Sequence, residues 1–406
     1  MNDGRGGITV ENTQVLQGLK VLELGQLIAG PFATKLLGEF GADVIKVEPV
    51  GKGDPLRKWR KLKDGTSLWW HVQARNKRSL ELDLQSAEGQ EVVRRLVQDA
   101  DVVVENFRPG TLEKWGLGWE ALSEINPRLI MVRVSGYGQT GPYRDKPGFG
   151  VIGEAMGGLR YLCGFPDQPS VRVGISIGDS LSALYAVIGT LLALHERQRS
   201  GQGQYIDIAL YEAVFSMMES LIPEYDADGH IREPSGSALP GIAPSDAYPC
   251  EDGSYVIVAG NGDSIFKRLM ETIGRPDLAA DSRLAHNDGR VQHVDLIDDA
   301  ITEWTQRHSR DFIIQSLDAA NVPAGYPYTA ADIVKDPHFA SRDMLQKIQL
   351  PGGDSLKVPG VMPKLSRTPG RIGGGGPELG EHTRQILDEL GIDAETQRKM
   401  KEKGVI

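Results

Sequence analysis

The chain has 406 residues, of which 40% are hydrophobic and 6% aromatic, and it carries a formal net charge of −10. A chain of this length can bury a large core and form two domains. The excess of acidic residues argues against nucleic acid as a general partner, because nucleic-acid-binding surfaces are basic.

Cysteine content and apolar runs bear on the compartment. Cys163 and Cys250 are the only cysteines in the sequence, so they cannot build a disulfide framework, and neither has a spacing suited to a metal site. The first residues contain no apolar stretch of signal-peptide length, and the longest apolar run, residues 181–194, is too short and too interrupted to span a bilayer. We therefore expect a cytoplasmic protein with no metal and no membrane partner.

Strand-like and helix-like patterns alternate through the first half of the chain. Strands are predicted over residues 20–24, 43–47, 79–84, 101–105, 129–134 and 204–209, and helices over residues 32–40, 87–98, 119–125, 180–199 and 212–221. Repeated βα units predict an α/β fold with a mostly parallel, Rossmann-like sheet. The first βα turn, Gly25 to Pro31, lacks the G-x-G-x-x-G spacing that cradles a dinucleotide, which argues against an NAD enzyme.

A change in composition marks the second half. Residues 226–244 are rich in Gly, Ser, Pro and Ala, which predicts a linker or an active-site loop. Beyond it the pattern predicts a hairpin that turns at Asp252-Gly253, within a smaller α+β unit. Residues 347–370 have strand and turn character. Further helices are predicted over residues 264–273, 295–307, 310–321 and 381–390.

Asp179 is the strongest candidate for a reactive group. It lies where a glycine-punctuated, strand-like run, residues 171–178, meets an apolar helical run whose pattern is typical of a buried helix. The dipole and free N–H groups of a helix N-terminus favour an ionised carboxylate by about 0.3–1 kcal/mol, which makes Asp179 a usable nucleophile. A capping role alone is the simpler interpretation, but Gly174 and Gly178 would let the backbone approach a ligand closely.

Several motifs occur in the order typical of one family. They are Gly30-Pro31, Asn76-Lys-Arg-Ser79, Val104-Glu-Asn106-Phe-Arg-Pro-Gly110, Gly136-Tyr-Gly-Gln-Thr-Gly141, Gly178-Asp179 and Leu379-Gly-Glu-His-Thr383. With these motifs the chain resembles the family III CoA-transferases, the relatives of formyl-CoA transferase and carnitine CoA-transferase, from about Leu19 to the C-terminus. The resemblance implies an interlaced homodimer, in which each ring-like subunit is threaded by its partner.

The resemblance also implies a domain arrangement in which both ends of the chain build the large domain. We expect an N-terminal extension over residues 1–18, a large Rossmann-like CoA-binding domain over 19–217, a linker and active-site loop over 218–242, a small α+β domain over 243–329, and a return linker with the rest of the large domain over 330–406. CoA and acyl-CoA would bind there as substrates, with no permanently bound cofactor, and the thioester would reach Asp179.

Binding roles are implied by the resemblance, residue by residue. Positions that match the adenine and ribose pocket of the family are Leu82, Leu84, Asn106, Phe107 and Thr111. Positions that match cations near the CoA phosphates are Lys114 and Lys146. Simpler roles remain open, since the leucines suit a strand core, the asparagine suits a turn and the lysines suit a solvated surface.

The resemblance also places Ile28 and Ala29 among the CoA-binding residues, but Ile28 departs from the family pattern, because some members carry a glutamine amide there. Without that amide, backbone N–H groups would have to stabilise the oxyanion. Pro49 likewise stands where many members have an arginine, and the segment from Gly236 to Gly241 replaces the tetraglycine lid of formyl-CoA transferases.

These departures favour a bulkier acid pair, such as succinyl-CoA with a dicarboxylate acceptor. Gly241 is then a candidate substrate contact. Arg172, the nearest cation before Asp179, is a candidate for binding the distal carboxylate, although a structural ion pair is its simpler role.

Two other functions remain open. A 2-methylacyl-CoA racemase of the same family needs a His-Asp pair after the Gly-Tyr-Gly motif, and this chain has Lys146-Pro-Gly-Phe149-Gly150 there. A non-catalytic CoA-binding protein would not need Asp179 beside the pocket motifs. The sequence therefore favours CoA transfer through an acyl-aspartyl anhydride and an aspartyl-CoA thioester.

Overall fold

The computed structural model describes residues 14–350 and 352–406. Within them the chain forms two units. Unit 1 contains the described residues up to 160 together with those of 173–228 and 340–406, and unit 2 contains residues 161–172 and 229–339. Most of the predicted N-terminal extension, residues 1–13, lies outside the described residues.

The strands of the described chain are β1 (Lys20–Glu23), β2 (Asp43–Glu48), β3 (Leu62–Lys63), β4 (Thr66–Ser67), β5 (Lys77–Glu81), β6 (Val102–Glu105), β7 (Ile130–Ser135), β8 (Gln204–Ala209), β9 (Ser245–Pro249), β10 (Tyr255–Ala259), β11 (Ala324–Gly325), β12 (Leu345–Gln349) and β13 (Ser355–Pro359).

The α-helices are α1 (Ala29–Glu39), α2 (Leu68–Gln73), α3 (Ala87–Asp99), α4 (Thr111–Lys114), α5 (Trp119–Ile125), α6 (Gly150–Met156), α7 (Leu159–Leu162), α8 (Ile177–Ser200), α9 (Leu210–Phe215), α10 (Leu221–Asp228), α11 (Asp263–Thr272), α12 (Pro276–Ala279), α13 (Asn287–Gln292), α14 (Val294–Thr305), α15 (Arg310–Ala319), α16 (Ala330–Ile333), α17 (Pro337–Ser341), α18 (Thr383–Glu389) and α19 (Ala394–Glu402). Short 3-10 helices occupy Pro55–Lys58 and Ser282–Leu284.

Unit 1 is built on a parallel sheet, which confirms the predicted α/β class. Six strands of the described chain pair in the order β5-β2-β1-β6-β7-β8, and every pair is parallel. The central strand β6 has helices on both faces, so its valines are buried throughout. Val103 packs into the core beside α3, while Val102 and Val104 pack into the core beside α1 and α8.

Unit 2 is the smaller unit and has an antiparallel sheet in the order β11-β10-β9. The predicted hairpin is present, since β9 and β10 pair antiparallel around a turn in which Gly253 has φ 75°. Val256 and Val258 point from β10 into a core that includes residues of α11, α14 and α15.

Several predicted boundaries are wrong. Strand β5 ends at Glu81, so Leu82 and Leu84 follow the strand and do not belong to it. The predicted strand over 171–178 is absent from the described structure, where α8 begins at Ile177. The helix predicted over 212–221 is interrupted between α9 and α10, and the sequence pattern missed α19.

The apolar helix α8 is not buried all round, contrary to the prediction. One face packs small residues such as Ala183 and Ala186 against the sheet and α1. The opposite face exposes an apolar stripe at helical spacing, formed by Leu184, Ile188, Leu191 and Leu192. Although the sequence indicated an apolar run too short for a bilayer, α8 is long and apolar enough to cross a membrane by length and composition alone, a test that core helices also pass.

Candidate active site

The carboxyl ends of the strands surround a cavity that contains Asp179. The backbone segments that follow β1 and β6 and the end of β7 form its walls, as expected at the carboxyl edge of a parallel sheet. We call it the nucleophile cavity, after the role that the sequence predicts for Asp179. It has a volume of 490 Å³ and is lined by residues 26–29, 106–109, 134–136, 144 and 146–149, by Asp179 and by Leu210.

A second cavity, the strand-end cavity, adjoins the first, because Gln26 and Phe107 line both. It has a volume of 400 Å³, and its other lining residues are Leu24, residues 47–50, Lys52, residues 82–85, Trp115 and Gly404. The rings of Phe107 and Trp115 meet edge to face with centroids 5.4 Å apart. This aromatic pair gives the strand-end cavity a surface against which a flat aromatic ring can pack.

Asp179 lies in the first turn of α8, as the sequence predicted, and is half-buried. Gly178, next to Asp179, is buried against α6, and a Cβ atom there would lie 3.1 Å from the Gly150 carbonyl oxygen. At Gly150 itself a Cβ atom would overlap Oδ2 of Asp179. The carboxylate therefore rests directly on the backbone of residue 150.

One wall of the nucleophile cavity is formed by the turn between β1 and α1 together with the start of α1. Asn106 holds this turn through both ends of its amide, since Oδ1 accepts from the Gln26 N–H at 2.8 Å and Nδ2 donates to the Gln26 carbonyl at 2.8 Å. Ile28 and Ala29 follow at the start of α1, where helix N–H groups have no acceptor within the helix. Ile28 and Ala29 therefore bring two backbone amides of this helix start to the lining of the cavity.

The structure brings most of the predicted site residues to the two cavities. The nucleophile cavity contains Ile28, Ala29, Asn106, Phe107, Lys146 and Asp179. Leu82 and Leu84 line the strand-end cavity. In the described part of the chain, Thr111 and Lys114 of α4 line neither cavity, and Arg172 and Gly241 belong to unit 2.

Several lining residues were missed by sequence reasoning. Arg108 and Arg144 line the nucleophile cavity, and Lys52 and Trp115 line the strand-end cavity. Arg108 lies inside a recognised motif, directly after Phe107, so the motif could have predicted its place in the site. Arg144 lies in a loop without periodicity, and its ion pair with the neighbouring Asp145, at 3.5 Å, joins two well-exposed side chains. Such a pair is weak and leaves the guanidinium available to a ligand.

Known proteins are similar to this chain along nearly its whole length. The sequence model of CoA-transferase family III matches residues 16–383. Succinyl-CoA–D-citramalate CoA-transferase of Chloroflexus aurantiacus is 53% identical over 96% of this chain and 98% of that protein. The beta subunit of succinyl-CoA–L-malate CoA-transferase from the same organism is 44% identical over 97% of this chain and 98% of that protein. The crystal structure of a CAIB/BAIF family protein from Brucella suis is 37% identical, with a TM-score of 0.82, over 93% of this chain and 100% of that chain.

Gly150→Ala tests the contact between residue 150 and Asp179. The added methyl would overlap the carboxylate, so we expect the side chain of Asp179 to be displaced. The rate at which this chain transfers CoA from a CoA ester to an acid should then fall by at least about 100-fold, or roughly 2.7 kcal/mol of barrier. The measurement is initial rate with a CoA ester and an acid, beside a crystal structure of the variant. Gly374→Ala is the matched control, because a Cβ atom there meets nothing within 4 Å. Full activity of Gly150→Ala would contradict the contact.

Proposed function

The chain belongs to CoA-transferase family III, and from this premise we propose that it transfers CoA from an acyl-CoA donor, with succinyl-CoA as the first choice, to a carboxylic or dicarboxylic acid. The observation that carries the proposal is the Asp179 carboxylate in a cavity walled by glycines and by the start of a helix. The names of the relatives support the donor, since they pair succinyl-CoA with citramalate or malate.

The proposed chemistry uses one carboxylate. Asp179 attacks the thioester carbonyl, and the C–S bond breaks to give an acyl-aspartyl anhydride and CoA thiolate. The thiolate then attacks the aspartyl carbonyl, which releases the donor acid and leaves an aspartyl-CoA thioester. The acceptor carboxylate attacks that thioester, and the thiolate opens the second anhydride at the acceptor carbonyl, which regenerates Asp179. No water is consumed, so each hydrolysable anhydride must be kept from solvent.

Backbone amides supply the oxyanion donors in this proposal. Each tetrahedral intermediate places negative charge on oxygen, and one well-placed donor is worth about 3–4 kcal/mol in other enzymes. Ile28 and Ala29 line the cavity at the start of α1. Their N–H groups replace the glutamine amide that some family members carry.

CoA is placed along both cavities. We assign the adenine to the strand-end cavity, beside Leu82, Leu84 and the Phe107–Trp115 pair, with the thioester arm entering the nucleophile cavity. Lys52 lines the strand-end cavity and Lys146 lines the nucleophile cavity, so we propose that either ammonium can meet a phosphate. Thr111 and Lys114 stay predictions taken from the family.

Racemisation is a weaker candidate. It needs an acid and a base on opposite sides of the α-carbon, whereas the titratable residues that line the described nucleophile cavity are Asp179, Lys146 and two arginines. Phe149 and Gly150 occupy the positions of the racemase pair. A non-catalytic CoA-binding role is separated from transfer by the experiment that follows.

Asp179→Asn and Asp179→Ala should fold and bind CoA but lose transfer, because neither side chain can form the anhydride. Wild type incubated with succinyl-CoA and then hydroxylamine should carry a hydroxamate at residue 179, located by peptide mass spectrometry. Both variants should lack that adduct and lose activity by more than about 1000-fold, which is roughly 4 kcal/mol of barrier. Activity kept within about tenfold, or an adduct at another residue, would overturn the role of Asp179.

A dicarboxylate acceptor needs a cation for its distal carboxylate. The sequence suggested Arg172, which stays a prediction, and the structure adds Arg144, whose side chain lines the cavity with Asp179. Lys146 is the less available cation, because its ammonium lies 3.4 Å from the centroid of the Tyr143 ring. A guanidinium matches a carboxylate through two parallel hydrogen bonds, so we propose Arg144 as the acceptor-binding residue.

Arg144→Gln should discriminate between acids. A charged hydrogen bond is worth about 1.5–3 kcal/mol, so the KM for malate or citramalate should rise by about 10- to 100-fold. The KM for butyrate, which has no distal carboxylate, should stay within about twofold. Steady-state kinetics at saturating succinyl-CoA measure both, with Arg384→Gln on the exposed face of α18 as the matched control. Equal changes in the KM for both kinds of acid would contradict the proposal that Arg144 binds the distal carboxylate.

A second copy of the chain is proposed to cover the stripe on α8. Leu192, the most exposed member, is 65% accessible in the single chain, and a stripe of four large apolar side chains is typical of an interface. This is consistent with the interlaced, ring-like homodimer that the family suggests. The domain assignment stays a prediction, and we propose a cytoplasmic location because two cysteines cannot build a disulfide framework.

Leu192→Glu tests this interface. A carboxylate there would be buried without a partner, so the dimer should weaken and sedimentation velocity at micromolar concentration should show monomer. Leu296→Glu on α14, a position 37% exposed, is the matched control and should leave the mass unchanged. A wild-type chain that sediments as a monomer would contradict the homodimer.

A further inference from the structure

The backbone of residues 25–28 is held by side chains from four other parts of unit 1. Lys46 Nζ donates to the Gly25 carbonyl at 3.0 Å, and Asn106 binds both backbone groups of Gln26. The Leu27 N–H donates to both carboxylate oxygens of Asp54 at 3.1 Å. Gln73 Nε2 donates to the Ile28 carbonyl at 2.9 Å. The segment that leads to the proposed oxyanion donors, and that includes the first of them, is therefore fixed by side chains.

Leu27 is the strained residue of this segment. Its φ is 65°, in the left-handed region that a leucine rarely adopts. Such a conformation persists only where its surroundings determine it. Asp54 provides that constraint, because it is 1% exposed and uses both oxygens on the one N–H.

Asp54 is itself fixed on two sides. Its Oδ1 caps the 3-10 helix that starts at Pro55 by accepting from the Leu56 N–H at 2.8 Å. Its Oδ2 pairs with Lys46 Nζ at 2.8 Å. One carboxylate thus joins the strained turn, a helix start and a buried cation.

Lys46 connects Asp54 to a buried ion network at the carboxyl end of β1. Its Nζ also pairs with Glu23 at 2.6 Å, and Lys77 pairs with the other oxygen of Glu23 at 2.7 Å. Burial alone would raise the pKa of Glu23, but the ammonium groups of Lys46 and Lys77 outweigh it and lower that pKa to about 2. Glu23 is therefore a carboxylate at neutral pH, and its ion pair helps to keep Lys46 in place.

We propose that Lys46 and Asp54 are positioning residues for CoA transfer, which hold Leu27 in its left-handed conformation so that the Ile28 and Ala29 amides face the reacting carbonyl. The inference rests on the proposed function. It predicts a loss in the chemical step with little change in CoA binding, because the held segment adjoins the oxyanion donors.

Asp54→Asn is the central variant, since it keeps the shape but removes the charge and one acceptor. We expect kcat to fall by about 10- to 100-fold while the KM for succinyl-CoA stays within about threefold. Glu39→Gln is the matched control, because Glu39 forms a buried ion pair with Arg75 that makes no contact with residues 25–28. Both variants should lose thermal stability, but only Asp54→Asn should lose kcat. An equal loss of kcat in the two variants would assign the effect to general destabilisation and overturn the proposal.

Two further measurements keep the proposal testable if Asp54→Asn folds poorly. Leu27→Val preserves every charge, yet a β-branched residue resists the left-handed region, so kcat should fall by about tenfold. Adding Leu27→Gly to Asp54→Asn should recover about fivefold in kcat, because glycine adopts that region freely. Unchanged kcat in Leu27→Val, or no recovery in the double variant, would contradict the proposal.

A crystal structure of Asp54→Asn separates this inference from the proposed function. Leu27 should leave the left-handed region or become disordered in that structure. If the wild-type protein transfers no CoA, the proposed function is wrong. If Leu27 keeps its left-handed φ in the variant, Asp54 does not hold that conformation, whatever the function of the protein.

Discussion

The parallel pairing of six strands in unit 1 is the constraint on which both cavities depend. It brings the carboxyl ends of the strands to one edge, and the segments after β1, β2, β5 and β6, with the end of β7, supply most of the lining. A register slip of one residue would turn each buried side chain to the opposite face. The alternation of Val102, Val103 and Val104 between two cores therefore fixes where Asn106 and Phe107 stand.

The backbone at that edge needs hydrogen-bond partners, because irregular backbone buried at the ends of strands is not paired with a neighbouring strand. Charged and amide side chains provide those partners here. Lys46 lies in the largely buried strand β2, where a lysine is costly unless it is paired. Pairing with Glu23 and Asp54 offsets the cost and at the same time orders the turn. A buried lysine in a strand thus marks a wall of the proposed active site.

Local periodicity predicted the parallel α/β sheet, the hairpin of unit 2 and the position of Asp179 in the first turn of α8. It failed where the deciding contact is non-local. The apolar stripe of α8 looked like a core face because a sequence pattern does not say what covers a surface. Apolar alternation runs past Glu81, so the end of β5 was missed. No pattern relates Lys46 to Asp54, whose contact exists only once the loop between them has folded.

The contact between Gly150 and Asp179 bears on which reaction the site can carry. A nucleophilic carboxylate must approach one carbonyl and later, as an anhydride, be approached by a thiolate, so it needs open space on more than one side. Glycine at 150 makes room for the carboxylate, because a Cβ atom there would overlap Asp179 Oδ2, whereas a Cβ atom at Gly178 would meet the Gly150 carbonyl oxygen of α6. An acid or base at residue 150, as racemisation would require, would compete for the volume that Asp179 Oδ2 occupies. The packing that makes room for the proposed nucleophile therefore leaves no room for a larger side chain at residue 150.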